Sequence, residues 1–152
     1  MINYAIQEVN NDNIDSLALL QQEAEGETMI VSKMVDEWKS GENTFSKTGE
    51  KAWGLFVGDE CIAFAGINVD PYLEGNDGSV GRVRHVYVAQ KYRGQGLSKV
   101  LMDVVLAHAK EYFKTLRLST NNPIALRVYL AYGFAETEDR TPAGKPVYAL
   151  TL

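Results

Sequence analysis

The stretch Val86-Tyr87-Val88-Ala89-Gln90-Lys91-Tyr92-Arg93-Gly94-Gln95-Gly96-Leu97-Ser98 joins a strand pattern to the start of a helix. Gly94 and Gly96 allow the backbone to approach a ligand without a Cβ in the way. A helix that begins after such a turn points unpaired N–H groups and the positive end of its dipole at one spot, where phosphate binds well. The stretch therefore predicts a turn that binds phosphate or pyrophosphate, with Arg93 as a source of charge-assisted contacts.

Taken alone, a Gly-x-Gly pair is more often a simple turn than a binding loop. Two other phosphate loops are excluded. The chain has no Gly-x-x-x-x-Gly-Lys-Ser/Thr segment, and Lys99 occupies the last glycine position of a dinucleotide-binding Gly-x-Gly-x-x-Gly motif. A protein kinase requires far more chain than 152 residues. The turn therefore needs support from the rest of the sequence before it identifies a ligand.

Apolar and aromatic runs on both sides of this stretch predict strands, and turn residues separate them. Gly58-Asp59 lies between two such runs and predicts an antiparallel hairpin. The polar segment 70–79 predicts a loop. The predicted strands are 4–9, 53–57, 61–69, 83–88, 116–119, 134–138 and 147–152.

Apolar residues spaced by three and four positions predict helices between these strands. Asn11-Asp12-Asn13 supplies cap residues for the first helix, and Gly41 ends the second. Asn122 caps the last helix, Pro123 is its first residue, and Gly133 closes it. The predicted apolar faces are Ile14, Leu17 and Ala18; then Val31, Met34, Val35 and Trp38; and, in the long helix 97–113, Leu97, Val100, Leu101, Val104 and His108.

The resulting order, β-α-α-β-β-β-α-β-α-β-β, predicts an α/β (α+β) fold with a mixed sheet rather than a doubly wound parallel one. A length of 152 residues is that of one domain, and repeats or Pro/Gly/Ser linkers do not divide it. We therefore expect a single domain over residues 1–152.

Composition narrows the function classes. The net charge of −5 disfavours nucleic acid, and the apolar runs are too short to span a bilayer. Met1-Ile2-Asn3-Tyr4 lacks the pattern of a secretory signal, so we expect a cytoplasmic protein.

The single cysteine, Cys61, excludes an internal disulfide, and we interpret it as a core-packing residue. His108, without a partner motif, is read as surface or core packing, and two separated histidines with one cysteine predict no metal site.

A second informative segment is Asn122-Pro123-Ile124-Ala125-Leu126-Arg127-Val128-Tyr129-Leu130-Ala131-Tyr132-Gly133-Phe134. It resembles the Asn-x-x-Ala-x-x-x-Tyr-x-x-x-Gly-Phe segment of the GNAT family of N-acetyltransferases. The first stretch resembles the same family's hallmark, Arg/Gln-x-x-Gly-x-Gly/Ala, which corresponds to Arg93–Ser98. Ser98 stands where the family has Gly or Ala, and it is small and presents the same backbone N–H. The resemblance covers nearly the whole chain and implies the family fold, a mostly antiparallel twisted sheet of about seven strands with four helices.

The resemblance implies acetyl-coenzyme A as co-substrate. Backbone groups of Val86 and Val88 would bind the pantetheine arm like an added strand, in a slot opened where the strand after the long helix splays away. Amides from Gln95 to Lys99 would hold the pyrophosphate, and Asn122 would bind a pantetheine amide. The coenzyme-binding residues implied in this way are Val86, Tyr87, Val88, Arg93, Gly94, Gln95, Gly96, Leu97, Ser98, Lys99 and Asn122.

For catalysis, the resemblance implies that Tyr129 is the general acid that protonates the coenzyme A thiolate. The backbone N–H of Val88 would polarise the thioester carbonyl. His85 lies where relatives carry a carboxylate or histidine and is the candidate general base, although a water relay or a purely structural histidine fits the sequence as well. Glu23, Glu25 and Glu27 either attract a cationic amine or form a solvated face.

The expected function is transfer of an acetyl group from acetyl-coenzyme A to a primary amine of a small molecule. One alternative is acetylation of a protein N-terminus or lysine. An alternative of another class is an acyl-coenzyme A-binding or sensor domain without turnover. The sequence leaves open the acceptor, the acyl-chain preference and the oligomeric state. The family is often dimeric, so a homodimer is possible, and neither nucleic acid nor membrane is expected as a partner.

Overall fold

A computed structural model describes residues 2–152. Its strands form one sheet in the order β1-β2-β3-β4-β5-β7-β6, in which β4 and β5 are parallel and the other neighbours are antiparallel. The predicted element order and mixed sheet are confirmed. The strands are β1 (Ala5–Glu8), β2 (Lys51–Val57), β3 (Glu60–Val69), β4 (Val80–Val88), β5 (Thr115–Leu118), β6 (Ala135–Arg140) and β7 (Pro146–Thr151), and the helices are α1 (Ala18–Ala24), α2 (Ile30–Ser40), α3 (Leu97–Tyr112) and α4 (Pro123–Ala131).

The core lies on both faces of the central strands. On one face Trp38 of α2 stacks on Phe45, which meets Phe64 of β3 edge-on, with ring centroids 6.1 and 6.4 Å apart. On the other face His108 of α3 lies against Trp53 of β2, with ring centroids 5.1 Å apart. Helices therefore cover β3 on both sides, which explains its long apolar run. His108 packs as predicted.

The predicted helix faces are confirmed in part. In α2 all four predicted residues are buried, and the helix ends at Gly41 in the left-handed conformation. Ile14 and Leu17 are buried but Ala18 is exposed, because residues 14–17 form a 3-10 turn that changes the helical phase before α1. The buried face of α3 is turned by about one position from the predicted one and consists of Leu97, Leu101, Met102, Val105 and Ala109.

A β-bulge interrupts β4. Tyr87 pairs with Phe64 and Arg84 pairs with Gly66, so two residues of β4 lie opposite one residue of β3. His85, in the bulge, has a positive φ of 59°. Strict alternation along the predicted strand 83–88 would place His85 and Tyr87 on the face of Val83. The extra residue shifts the alternation, so that Tyr87 lies on the face of Arg84, and His85 lies toward Ile30 and Lys33 of α2.

The sheet opens between β4 and β5. Their pairing runs from Val80 with Thr115 to Arg82 with Arg117, and β4 then continues to Val88. The predicted splay is therefore present. It leaves a wedge-shaped gap, named here the β4–β5 gap, beside the last six residues of β4, 83–88.

An ion cluster lies under the segment that was predicted to be a polar loop. Asp70 is 2% exposed, and its Oδ2 lies 3.5 Å from Arg82 of β4 and 3.3 Å from Arg117 of β5. Arg117 also pairs with Asp139 of β6 at 3.3 Å. The cluster links strands on both sides of the β4–β5 gap. The ring of Tyr72 covers the guanidinium of Arg82.

Cys61 is buried in β3, and its thiol donates to the carbonyl of Ala63 at 3.2 Å. Burial raises the pKa of this thiol to about 12. The core-packing interpretation of Cys61 is confirmed. Across residues 2–152, no helix is both long enough and apolar enough to cross a membrane.

Candidate functional site

The turn before α3 has the geometry of an anion site. Gly94 and Gly96 have φ values of 79° and 77°, which L-residues rarely adopt, and the space where a Cβ would lie is open at both. Within residues 2–152, no side chain caps this end of the helix. The first amide bonded back into the helix is that of Val100, to Gly96 at 3.2 Å. The preceding amides therefore point at solvent together with the helix dipole.

The β4–β5 gap has the geometry to accept an extended chain. The N–H of Ala89 donates to Ile62 of β3 at 2.8 Å. Because alternate residues of an antiparallel strand bond to the same neighbour, the N–H and C=O of Val88 face the opposite side, which is the gap. The carbonyl of Val88 already accepts from Arg93 Nε at 2.9 Å, so the N–H of Val88 is the group left to an amide-bearing chain such as pantetheine, next to the exposed amides at the start of α3. The role of Val88 stays a prediction.

The side chain of Arg93 is arranged differently from the expectation. Its Nη1 and Nη2 donate to the two carboxylate oxygens of Glu27 at 3.1 and 2.8 Å, and its Nε donates to the carbonyl of Val88 at 2.9 Å. Hydrogen bonding to the partner raises the pKa of Arg93 and lowers that of Glu27. The guanidinium is therefore engaged by a carboxylate rather than presented to a phosphate, and no sequence pattern indicated this partner.

The neighbouring acidic residues are engaged as well. The hydroxyl of Tyr87 donates to Glu23 at 3.1 Å, and Glu23 also accepts from the backbone N–H of Gln90 at 3.2 Å. Burial, followed by the bond to Glu23, raises the pKa of Tyr87 to about 12. Glu25 accepts from the hydroxyl of Ser32 at 3.1 Å. Of the two interpretations left open, a solvated face does not describe Glu23 and Glu27, because both carboxylates accept hydrogen bonds from residues 87–93, the segment that leads to the glycine turn.

The start of α4 and the buried side of that helix carry two predicted residues. The side-chain oxygen of Asn122 accepts from the amides of Ile124 and Ala125 at 2.9 and 3.3 Å, which confirms the cap. Its NH2 group carries the donors that a pantetheine carbonyl would need. Tyr129 is buried against Phe134, and burial raises the pKa of its hydroxyl to about 12. The phenol therefore holds its proton at neutral pH, as a general acid must.

His85 has the environment of a neutral imidazole. Its Nε2 is buried and has no hydrogen-bond partner among the described residues. Burial, and then the charges of Arg84 and Lys33, lower its pKa to about 3. An imidazole that binds protons so weakly is a poor general base for an ammonium group, so water is the better-supported acceptor of the amine's proton.

A groove, named here the α2 groove, lies along α2 and the residues that follow it, and its lining includes Lys33, whose charge contributes to the lowered pKa of His85. Its volume is about 420 Å³. Three of its side chains are carboxylates, which favour a cationic ligand. The groove is lined by Met29, Ser32, Lys33, Asp36, Glu37, Ser40 and Glu42.

Comparison with known proteins identifies the family to which this chain is similar. The model of the acetyltransferase (GNAT) family matches residues 13–134. A spermine/spermidine N(1)-acetyltransferase of Bacillus subtilis (strain 168) is 29% identical over an alignment of 90 residues, and the match covers 55% of this chain and 59% of that protein. The chain thus spans about three fifths of the length of the curated relatives it matches.

Solved structures resemble the whole fold. An N-acetyltransferase from Staphylococcus aureus Mu50 superposes with a TM-score of 0.78 at 16% identity and covers 99% of both chains. A ribosomal-protein-alanine N-acetyltransferase from Brucella melitensis superposes with a TM-score of 0.77 at 15% identity, covering 97% of this chain and 99% of the other. At these identities the likeness establishes the fold alone.

Proposed function

The chain belongs to the acetyltransferase (GNAT) family, and from that membership we propose that it transfers an acetyl group from acetyl-coenzyme A to a primary amine of a small molecule. The observation that carries the proposal is the β4–β5 gap beside the exposed amides at the start of α3. A pantetheine arm would complete the sheet in the gap, and the pyrophosphate would bind the turn at Gly94 and Gly96.

The proposed reaction is a direct attack. The neutral amine nitrogen bonds to the thioester carbonyl carbon while the N–H of Val88, which faces the gap, donates to the carbonyl oxygen. The carbon–sulfur bond then breaks, and the thiolate takes the proton of the Tyr129 hydroxyl. A lysine-like amine has a pKa of about 10, so its ammonium group first loses one proton to solvent and becomes the neutral nucleophile. After attack the nitrogen loses a second proton to water, which leaves the neutral amide, and Tyr129 is reprotonated from solvent.

We propose a cationic acceptor of the polyamine type. The α2 groove presents Asp36, Glu37 and Glu42, and a long polycation can bind several carboxylates at once. The partial similarity to a spermine/spermidine N(1)-acetyltransferase supports the same class.

The proposal is tested by measuring coenzyme A release from acetyl-coenzyme A against a panel of polyamines, amino acids and peptides, beside calorimetry of acetyl-coenzyme A alone. Turnover with polyamines is expected. Asp36→Asn should raise the KM for a polyamine about tenfold and leave the KM for acetyl-coenzyme A unchanged. Asp59→Asn, in the exposed β2–β3 turn, is the matched control. Binding of acetyl-coenzyme A without turnover of any amine would instead favour the sensor function.

A further inference from the structure

Glu27 and Arg93 come from two segments with different expected tasks. Glu27 lies in the join between α1 and α2, among the carboxylates expected to attract a cationic amine, and Arg93 precedes the glycine turn, which is expected to bind the coenzyme. The two residues are 66 positions apart in the chain and meet in a two-pronged ion pair of 2.8 and 3.1 Å, named here the Glu27–Arg93 bridge. Planar fork geometry of this kind fixes orientation as well as distance.

The third contact of the guanidinium extends the bridge into β4. Arg93 Nε donates to the carbonyl of Val88, and the guanidinium carbon lies 5.2 Å from the centre of the Tyr87 ring. All three guanidinium nitrogens are therefore bonded, two to Glu27 and one to the strand end that faces the β4–β5 gap. The side chain of Arg93 is held from three directions just before the backbone turns at Gly94.

The bridge is half-exposed, with 41% of the Arg93 side chain and 38% of the Glu27 side chain accessible to solvent. An exposed pair contributes little to global stability. Its larger effect is local, because Gly94 and Gly96 give the turn more backbone freedom than other residues would, and that freedom is lost when the turn binds an anion. A contact that holds Arg93 in advance reduces this entropic cost.

We propose that the Glu27–Arg93 bridge positions the Gly94–Gly96 turn for acetyl-coenzyme A, so that Glu27 is a positioning residue for coenzyme binding although it lies in the join between α1 and α2. The inference rests on the proposed function.

The test is a double-mutant cycle read by calorimetry of acetyl-coenzyme A. We expect Glu27→Gln and Arg93→Gln each to raise the Kd about fivefold, and the double variant to bind no more weakly than Arg93→Gln alone. In steady-state kinetics Glu27→Gln should raise the KM for acetyl-coenzyme A with kcat nearly unchanged, a split that a general loss of folding would not produce. Glu136→Gln, which removes the carboxylate of the exposed pair with Arg140, is the matched control and should bind as the wild type does.

Three outcomes would overturn the inference. The first is a Glu27→Gln protein with the wild-type Kd, and the second is a double variant in which the two effects add. The third is wild-type protein that binds neither acetyl-coenzyme A nor coenzyme A, which would also overturn the proposed function. The first two leave the proposed function intact, so the two failures are distinguishable.

Discussion

At the scale of single residues, Tyr129 carries the chemical prediction. Its pKa of about 12 keeps the phenol protonated across the neutral range. We expect Tyr129→Phe to lower kcat at least about 100-fold, because the leaving thiolate loses its proton donor, while the Kd for acetyl-coenzyme A stays within about twofold. Steady-state kinetics and calorimetry check this, with Tyr112→Phe, an exposed tyrosine of α3, as control. Wild-type turnover in Tyr129→Phe would remove it from the mechanism.

His85 carries a prediction about acid stability. Its pKa is about 3 in the folded chain and about 6.5 in the unfolded one. Between pH 3 and pH 6.5 the unfolded chain binds more protons at this residue than the folded chain does. The free energy of unfolding therefore rises with pH in this range, and the stabilisation that comes from the neutral imidazole is lost progressively as the pH falls below 6.5. The Tm of His85→Asn, which lacks the titrating imidazole, should therefore fall less than that of the wild type between pH 7 and pH 5. Asparagine is the replacement because it tolerates the positive φ of residue 85. His108→Asn is the control, and an equal fall in all three proteins would contradict a buried neutral imidazole.

At the scale of elements, the start of α3 can be tested against the end of α2. Gly96 and Gly41 both have a positive φ and open space at the Cβ position, so valine at either should cost a similar ~1–2 kcal/mol of folding free energy. Only Gly96→Val should also weaken acetyl-coenzyme A binding, because only that backbone borders the anion site. Thermal melts and calorimetry of the two variants separate the effects. Unchanged affinity in Gly96→Val would place the pyrophosphate elsewhere.

The sequence predicted elements well where the signal was local. Asn122 with Pro123 located the start of α4, and the glycine turn located α3. Alternation failed in β4, because a bulge adds one residue without leaving a glycine or proline to mark it, and His85 adopts the positive φ instead. The predicted buried face of α3 was off by about one position. Met102 and Ala109 are buried, whereas the predicted Val100 and Val104 are only partly buried.

At the scale of the whole molecule, the Asp70 cluster joins the two sides of the open sheet. Asp70→Asn leaves Arg82 and Arg117 buried with only the exposed Asp139 as a carboxylate, so we expect a loss of about 3–5 kcal/mol in the free energy of unfolding. Asp139→Asn, at a carboxylate 60% exposed, should cost less than about 1 kcal/mol. Urea denaturation measures both, and equal losses would show that burial of Asp70 is not the source of the effect.

Such long-range pairs are also what the sequence could not show. Asp70 lies in a stretch whose composition predicts a loop, and its partners sit on separate strands. Glu27 and Arg93 likewise are in contact although they lie 66 positions apart in the chain. Spacing rules describe neighbours along the chain, so the predicted site contained the coenzyme turn and Tyr129 but not the contacts that hold Arg93.

The buried state of Cys61 has a practical consequence for measuring turnover. Coenzyme A release is read with reagents that react with thiolates, and a protein's own cysteines ordinarily add background. This chain has one cysteine, with a pKa of about 12 and less than 2% of its surface exposed, so the folded protein should leave the colour reagent unconsumed. Each equivalent of colour then counts one acetyl group transferred, and slow reagent uptake in a blank reports unfolding.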